Sequence, residues 1–494
     1  THQTESADSY QIVEFDPADD IALVTTQIEA KTNINIGAPH GYQSSQALVY
    51  DNGGGENIGG LVHGRTYYAI STSNTHVFRL AGSESEAARG LAITLDPTTM
   101  TGTGHSFNPT THSVKAYNES DVFSIAGAAS VSLGSVKGSG GFGFGFAWNE
   151  VDNDTKAYIN NSEIGYASPL TVTADNDSTI ETVSAAIGVS QSQKASGAIT
   201  GTASVNYVDN TTEAKIVGSN LGSSANSAGI TRVTANDNAS IRSISGAVSV
   251  ALSSSGPSLG FGVATAYNAI GSRTDHGVHA GIDSSNLYVH GLYLGSDGKQ
   301  LIESLAATAA IAISTKASIS IAGAVTINDI VNQKVHSSIT NGSEVVSTGD
   351  VGITATNTST IGSIAGAAGA AGASIALNEI NSSVNALIDG GATVTVGTVT
   401  QSSDLHLTAT QSSTIFTVTI GFAVAGSFSS GGGVSFAAAG SGSINEIGST
   451  VNAGIIGGSV VTMLGGGAIA IRSKDESDID AVAGAVSISF TFGS

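Results

Sequence analysis

From about Val114 onward the chain is six and a fraction copies of one unit about sixty residues long, and this constrains its fold more than any other feature. Each unit opens with a polar group, an apolar residue, two spacers, a second apolar residue and then strict alternation. One opening reads Val122, Ile125, Gly127, Ala129, Val131, Leu133, and another reads Ile241, Ile244, Gly246, Val248, Val250, Leu252. The openings at 122, 180, 241, 302, 361, 415 and 479 lie 58, 61, 61, 59, 54 and 64 residues apart. Period-two alternation marks a strand with one buried face, and large residues at every second position exclude a helix. The out-of-phase first step is what a β-bulge or a corner would produce.

A second alternating run follows in each unit, as in Phe142, Phe144, Phe146 and Trp148, whose spacing reads as core. It ends on an asparagine with a branched residue two positions later. Short strands at Ile159, Ile216, Ile282, Ile339, Ile388 and Ile455 come next, and return strands such as Leu170-Val172-Ala174 close the units. A supersecondary unit repeated this way buries its faces against its neighbours. The expected fold is all-β: a β-solenoid, parallel β-helix-like, of about six 60-residue repeats, preceded by a small N-terminal antiparallel β module. A row of long hairpins is the alternative, since Gly/Ser-rich segments such as Ser135 to Gly141 separate the first two runs. In unit five, Ile361 to Asn378 spans only 17 residues against 26 from Ile302 to Asn328; a solenoid absorbs this at a corner, whereas a hairpin shortens both arms.

Composition narrows the function classes. The 494 residues include 63 glycines and 6 prolines, only 11% are charged, and the small and β-branched hydrophobic residues suit closely approaching sheets. A formal net charge of -22 disfavours nucleic acid and anionic membrane surfaces, both of which call for clustered Lys and Arg. The acidic surface serves solubility and self-repulsion. Cysteine is absent, excluding disulfides and thiolate metal sites. No signal peptide is visible at Thr1, and the most apolar stretch, Ile361 to Leu377, is too short and weakly apolar to span a bilayer, so no membrane insertion is expected.

The first region differs. It carries three of the prolines (Pro17, Pro39, Pro97), glycine clusters that mark tight turns, and alternating runs at Tyr67 to Ile70 and Val77 to Leu80. Its motifs are His40-Gly41-Tyr42, Ala47-Leu48-Val49-Tyr50, Gly53-Gly54-Gly55, Ile58-Gly59-Gly60-Leu61, Thr66-Tyr67-Tyr68-Ala69-Ile70 and Gly102-Thr103-Gly104-His105-Ser106-Phe107. This string resembles a module of very large bacterial cell-surface or secreted adhesin-like proteins, where it alternates with Gly/Ala/Ser-rich β-repeats. Tyr42 stands where that module usually has Leu. The resemblance implies an extracellular or bacterial cell-surface location and an adhesive or fibre-forming class, with no ligand attached. The expected division is a tail over 1–10, a small β module over 11–113, the solenoid over 114–478 and an incomplete seventh repeat over 479–494.

Among candidate sites, the repeated asparagine is the most distinctive: Asn149, Asn206, Asn268, Asn328, Asn378 and Asn445. It faces away from the last large side chain and is expected to form a structural hydrogen-bonded ladder, since six copies are inconsistent with one catalytic centre. Oxygen-rich acidic turns include Asp152 and Asp154, Asp175 and Asp177, Asp237, Asp16 with Asp19 and Asp20, and Asp475-Glu476 with Asp478. They are candidate Ca²⁺ ligands, although Asp and Asn are also ordinary turn formers and no EF-hand or nonapeptide Ca²⁺ motif is present. His276 and His279, beside Asp275, form the only close histidine pair and lack a further ligand. No serine nucleophile elbow and no phosphate loop occurs, so an enzyme is not expected.

The seventh unit stops after its first strand, leaving Val482, Val486, Ile488, Phe490 and Phe492 as a candidate self-association strand. Its partner would be another copy, head to tail, or further repeats of the same giant chain. The expected function is an extracellular structural or adhesive fibre segment; the alternatives are a Ca²⁺-dependent carbohydrate-binding adhesin and a β-helical polysaccharide-degrading enzyme.

Overall fold

The computed structural model describes residues 32–35, 42, 44, 46–74, 76–96, 104–109, 112–134, 137–165, 169–224, 227–271, 277–429 and 435–493. The expected tail, Asp16, Asp19, Asp20, Asp275 and His276 lie outside the described residues, as does the side chain of Phe492.

Five short antiparallel strands build the first module: β1 (Ile34–Asn35), β2 (Ala47–Asp51), β3 (Thr66–Ser71), β4 (Val77–Ala81) and β5 (Ser106–Pro109), in the spatial order β1-β4-β3-β2-β5. A single-turn helix, α1 (Glu84–Ala88), follows β4 and is capped by Ser83, whose hydroxyl accepts from the Glu86 N–H. The motif residues are its core. Tyr50, Tyr67, Phe78 and Phe107 are fully buried, and their polar tips are satisfied internally. Tyr50 Oη lies 2.7 Å from His105 Nδ1 and accepts from the Ile58 N–H at 3.0 Å, while Tyr42 Oη donates to the Phe107 carbonyl at 2.9 Å. Gly53, at φ +59°, lies against Gly104, where a Cβ would come within 2.3 Å of the Gly104 carbonyl oxygen; the paired glycine motifs are one close backbone crossing.

The repeats form a parallel β-solenoid. Its strands are β6 (His112–Leu133), β7 (Ser139–Asn160), β8 (Glu163–Ile164), β9 (Leu170–Ser192), β10 (Ser196–Val217), β11 (Asn220–Leu221), β12 (Ala228–Ser253), β13 (Ser258–Ile270), β14 (Gly277–Asp283), β15 (Asn286–Ser314), β16 (Ser318–Thr340), β17 (Glu344–Ser347), β18 (Val351–Gly369), β19 (Ala371–Ile388), β20 (Thr393–Val396), β21 (Leu405–Ser429), β22 (Ala438–Ile455), β23 (Val460–Met463) and β24 (Ile469–Gly493). A first sheet stacks β6, β9, β12, β15, β18, β21 and β24; a second stacks β7, β10, β13 with β14, β16, β19 and β22. Equivalent residues pair between successive coils, as in Ile180↔Ile241 and Asn206↔Asn268.

Each coil therefore runs out along one sheet and back along the other, with short strands β8, β11, β17, β20 and β23 at its proximal end and a turn at its distal tip. The short Ile159-type strands are the ends of the second-sheet passes, and the Leu170-type return strands begin the next first-sheet pass. The coils are hairpin-shaped, but the long strands' backbone ladders run parallel to neighbouring coils and not between the two arms of one coil, so the architecture is the solenoid. In unit five both arms shorten, β18 to 19 and β19 to 18 residues, and the tip falls short rather than a corner contracting. Ile479, the expected opening of the seventh repeat, lies inside β24 and pairs with Ile415, the opening of the sixth.

Neither a bulge nor a corner explains the out-of-phase step. Register is unbroken from Leu170 to Ser192 against β12, and what changes is the face that carries the apolar residues. In the proximal half the interior holds Leu170, Val172, Val233, Ile216, Ile282 and Leu287. Mid-coil, an isoleucine column (Ile180, Ile241, Ile302, Ile361, Ile415) meets its counterpart on the second sheet (Val208, Ile270, Ile330, Ile380). Beyond that column and the asparagines next to it, the interior is alanine, glycine, serine and threonine, for example Thr182, Ser184, Ala186, Ala198, Thr200 and Thr202. The large residues now point outward: Phe142 is 71% exposed, Phe144 68%, Trp148 56% and Ile311 46%. The aromatic run that reads as core in the sequence is surface. Small inner side chains let the two sheets approach, leaving no room between them for Phe or Ile.

Candidate functional surfaces

The six repeated asparagines stand in one interior column of the second sheet, two residues before its isoleucine column. Asn149 donates to Asn206 at 2.8 Å, Asn206 to Asn268 at 2.8 Å, Asn268 to Asn328 at 2.9 Å, Asn328 to Asn378 at 2.7 Å and Asn378 to Asn445 at 2.7 Å. Each amide donates up the stack and accepts from below, so an otherwise costly buried polar group is satisfied. Thr182 and Thr417 on the facing sheet join the chain at both ends, donating to Asn206 at 2.7 Å and to Asn445 at 2.9 Å.

The sequence did not reveal two further columns. Ser219, Ser285 and Ser343 at the proximal corner accept from the backbone N–H of Ser162, Ser219 and Ser285, respectively, one coil earlier. Asn118 donates to Asn176 and Asn176 to Asp237, both at 2.7 Å, within the first sheet. Their signal in the sequence is the recurrence of serine and asparagine at equivalent positions of successive units.

The acidic segments among the described residues are mid-strand, not turns. Asp175 and Asp177 project outward from the first sheet and accept from Asn236 at 2.7 Å and Asn238 at 3.1 Å in the next coil. Burial, then repulsion from Asp121 and Glu119, raises the pKa of Asp177. Asp237 points inward, accepting from Asn176 and, at 3.0 Å, from Asn210. Asp152 and Asp154 lie on the outside of the second sheet, with Asp154 paired to Lys156 at 3.1 Å. These five carboxylates occupy three different surfaces, and no group of three His, Cys, Asp or Glu positioned to hold a metal occurs among the described residues.

His279 stands beside His336 of the next coil, ring centroids 6.0 Å apart. Its Nε2 lies 3.1 Å from Ser338 Oγ, and His336 Nε2 lies 2.8 Å from Asn385 Nδ2. Burial, with Lys215 and His336 adding, pushes the His279 pKa down to about 3. With Lys156, Glu213 and Lys334 the pair lines a shallow outer groove.

An apolar outer band covers the distal half. On the first sheet it comprises rows such as Ile244, Val248, Val250 and Leu252; on the second, rows such as Leu259, Phe261, Val263 and Tyr267. Charged residues border it at once: Glu181, Arg242 and Glu303 in register on the first sheet, and Glu150, Asp329 and Glu379 on the second. Arg242 bonds both Glu303 at 2.9 Å and Glu181 at 3.3 Å. Trp148, Tyr207 and Tyr267 form a row of tilted ring contacts along this border, with centroids 5.4 and 5.6 Å apart.

Val482, Val486, Ile488 and Phe490 extend the same outer band along β24, because their partners in β21 are the outward Val418, Phe422, Val424 and Gly426. The open edge of β24 is its backbone: among the described residues it pairs with β21 alone, and no strand faces its inner residues Ala481, Ala483 and Ala485, the first sheet having one long described strand more than the second.

The protein is thus a parallel β-solenoid with internal polar ladders and an apolar distal exterior. Comparison with family models, with curated proteins and with solved structures gives no match.

Proposed function

We propose that this chain is a structural segment of an extracellular bacterial surface fibre, acting through the stacking of its coils rather than through chemistry. The observation that supports this most directly is the edge of β24. Twenty-five residues of backbone that pair residue for residue with β21 present the same donors and acceptors on the other side. The ladders carry the same logic, since each amide column accepts another member without change. The stack grows by a further coil of the same repeat type, from the same chain or from a second copy. One blade is roughly 70 Å tall and about 34 Å along the stacking axis, from ~3.3 Å per residue and ~4.8 Å per strand. Length therefore requires addition.

Electron microscopy of the purified chain at rising concentration tests this, beside Ala483→Lys/Ala485→Lys. Both positions are exposed in the free chain, and charges there would occupy the space a facing strand needs. Long fibres from the natural chain and none from the variant are expected of self-stacking copies. Isolated blades at every concentration would refute homopolymer growth and leave only further coils of one chain.

A further inference from the structure

The apolar band fits one kind of partner better than any other, and we infer that the distal half of the blade enters the hydrocarbon of a phospholipid bilayer. Four features of the blade point to this medium. First, the band lies on both outer faces at once, so a single docked protein would cover only half of it, whereas a surrounding apolar medium covers all of it. Second, Ile244 to Leu252 and Leu259 to Tyr267 each cover eight residue steps, about 26 Å at ~3.3 Å per residue, which matches the lipid-facing band of strand-built membrane proteins. Third, the side-chain pattern is that of a strand in lipid: large and apolar outward, small and hydroxylic inward. With seven strands about 4.8 Å apart, one face offers roughly 900 Å², well beyond the few hundred usual for exposed apolar patches.

Fourth, the polar residues are placed as a membrane requires. The outward positions of the band carry no charge among the described residues, and its lower rim is aromatic (Trp148, Tyr207, Tyr267) and then acidic. Exposed Lys137, Lys194 and Lys316 sit at the distal tips, where the described residues include no Asp or Glu. The tips are thus a basic spot on a chain of net charge -22, complementary to an anionic lipid surface, while the acidic half stays in water. No described helix is long and apolar enough to cross a membrane, but that criterion does not address strands. Hydrocarbon rejects open sheet edges, and the stacking proposed above supplies the coils that cover β6, β7 and β24, so the inference rests on that reading at this point.

Trp148, the only tryptophan, is a built-in reporter. The full chain is mixed with vesicles of phosphatidylcholine and phosphatidylglycerol and floated on a density gradient. Co-flotation, a blue shift of Trp148 emission and stronger quenching by lipids brominated near the headgroup than by those brominated near the chain ends are expected. Moving the reporter with Trp148→Phe/Phe144→Trp should reverse that quenching order. Val248→Lys/Ile311→Lys places charge at exposed band positions, so circular dichroism in water should not change, while lipid partitioning should fall more than about 100-fold. Equal binding by this variant would overturn the inference. So would a blue shift that grows with protein concentration without lipid and without flotation, the signature of blade-on-blade packing. Fibres that form in water but do not float would sink the lipid reading alone; floating blades that never form fibres would sink the fibre reading alone.

Discussion

Replacing Asn268 by alanine interrupts the amide ladder at its most enclosed point. Asn268 is fully buried, accepts from Asn206 at 2.8 Å and donates to Asn328 at 2.9 Å. Alanine leaves the Asn206 donor and the Asn328 acceptor buried without a partner, at about 1–3 kcal/mol each, or about 2–6 kcal/mol together. Asn445→Ala at the ladder's end should cost about 1 kcal/mol, because Asn378 keeps its bond to Thr417 at 2.7 Å. Asn268→Asp is the sharper test: a carboxylate still accepts from Asn206 but faces the Asn328 oxygen with no proton to donate. It should be less stable than Asn268→Ala at neutral pH and recover in acid, where the protonated carboxyl donates. The assay is urea unfolding by far-UV circular dichroism, with native-state hydrogen exchange resolving coil three, because repeat arrays need not unfold in one step. Equal costs at positions 268 and 445, or an Asn268→Asp protein that does not respond to acid, would refute the ladder as a source of stability.

Other outcomes follow from the same geometry. Ile302→Ala, inside the central column, should cost about 2–5 kcal/mol of unfolding free energy, while Ile311→Ala on the outer band should cost little in water; equal losses would contradict the inverted distal half. His279 has its folded pKa pushed down to about 3, against about 6.5 in an unfolded chain, so its neutral form stabilises the fold fully above about pH 6.5. That contribution is lost as pH falls toward 3, at up to about 1.4 kcal/mol per unit, and His336 acts with the same sign. The raised carboxyls of Asp177, Asp329 and Glu379 oppose it, stabilising at low pH and losing that effect as pH rises through their folded values. The unfolding midpoint of His279→Gln should therefore respond less to acid than that of the natural chain. Calcium titration by calorimetry should give no heat and no melting shift, since among the described residues no three acidic or histidine side chains converge; a saturable shift would reopen a Ca²⁺ site.

The sequence carried the repeat, its period, the strand content and the asparagine positions, because each depends only on spacing along the chain. It also carried the module's core: Tyr50, Tyr67, Phe78 and His105 fall within or beside its motifs. What it did not carry was direction. Alternation states that one face of a strand is apolar, not which face is inside, and Phe142 to Trp148 satisfy a core pattern and an outward band equally well. The serine corner ladder and the His279–His336 pair were hidden for a related reason, since their partners lie about sixty residues apart and only stacking brings them together.

The sequence by itself therefore determined a stacked all-β chain with one amide per coil. Tertiary structure decided which side of each strand faces its partner sheet. That choice depends on the distance between the sheets. Small residues throughout one face of the distal half let the sheets close, and closure drives every large side chain outward. A period-two pattern contains both solutions, and only the packing of two sheets against each other distinguishes them.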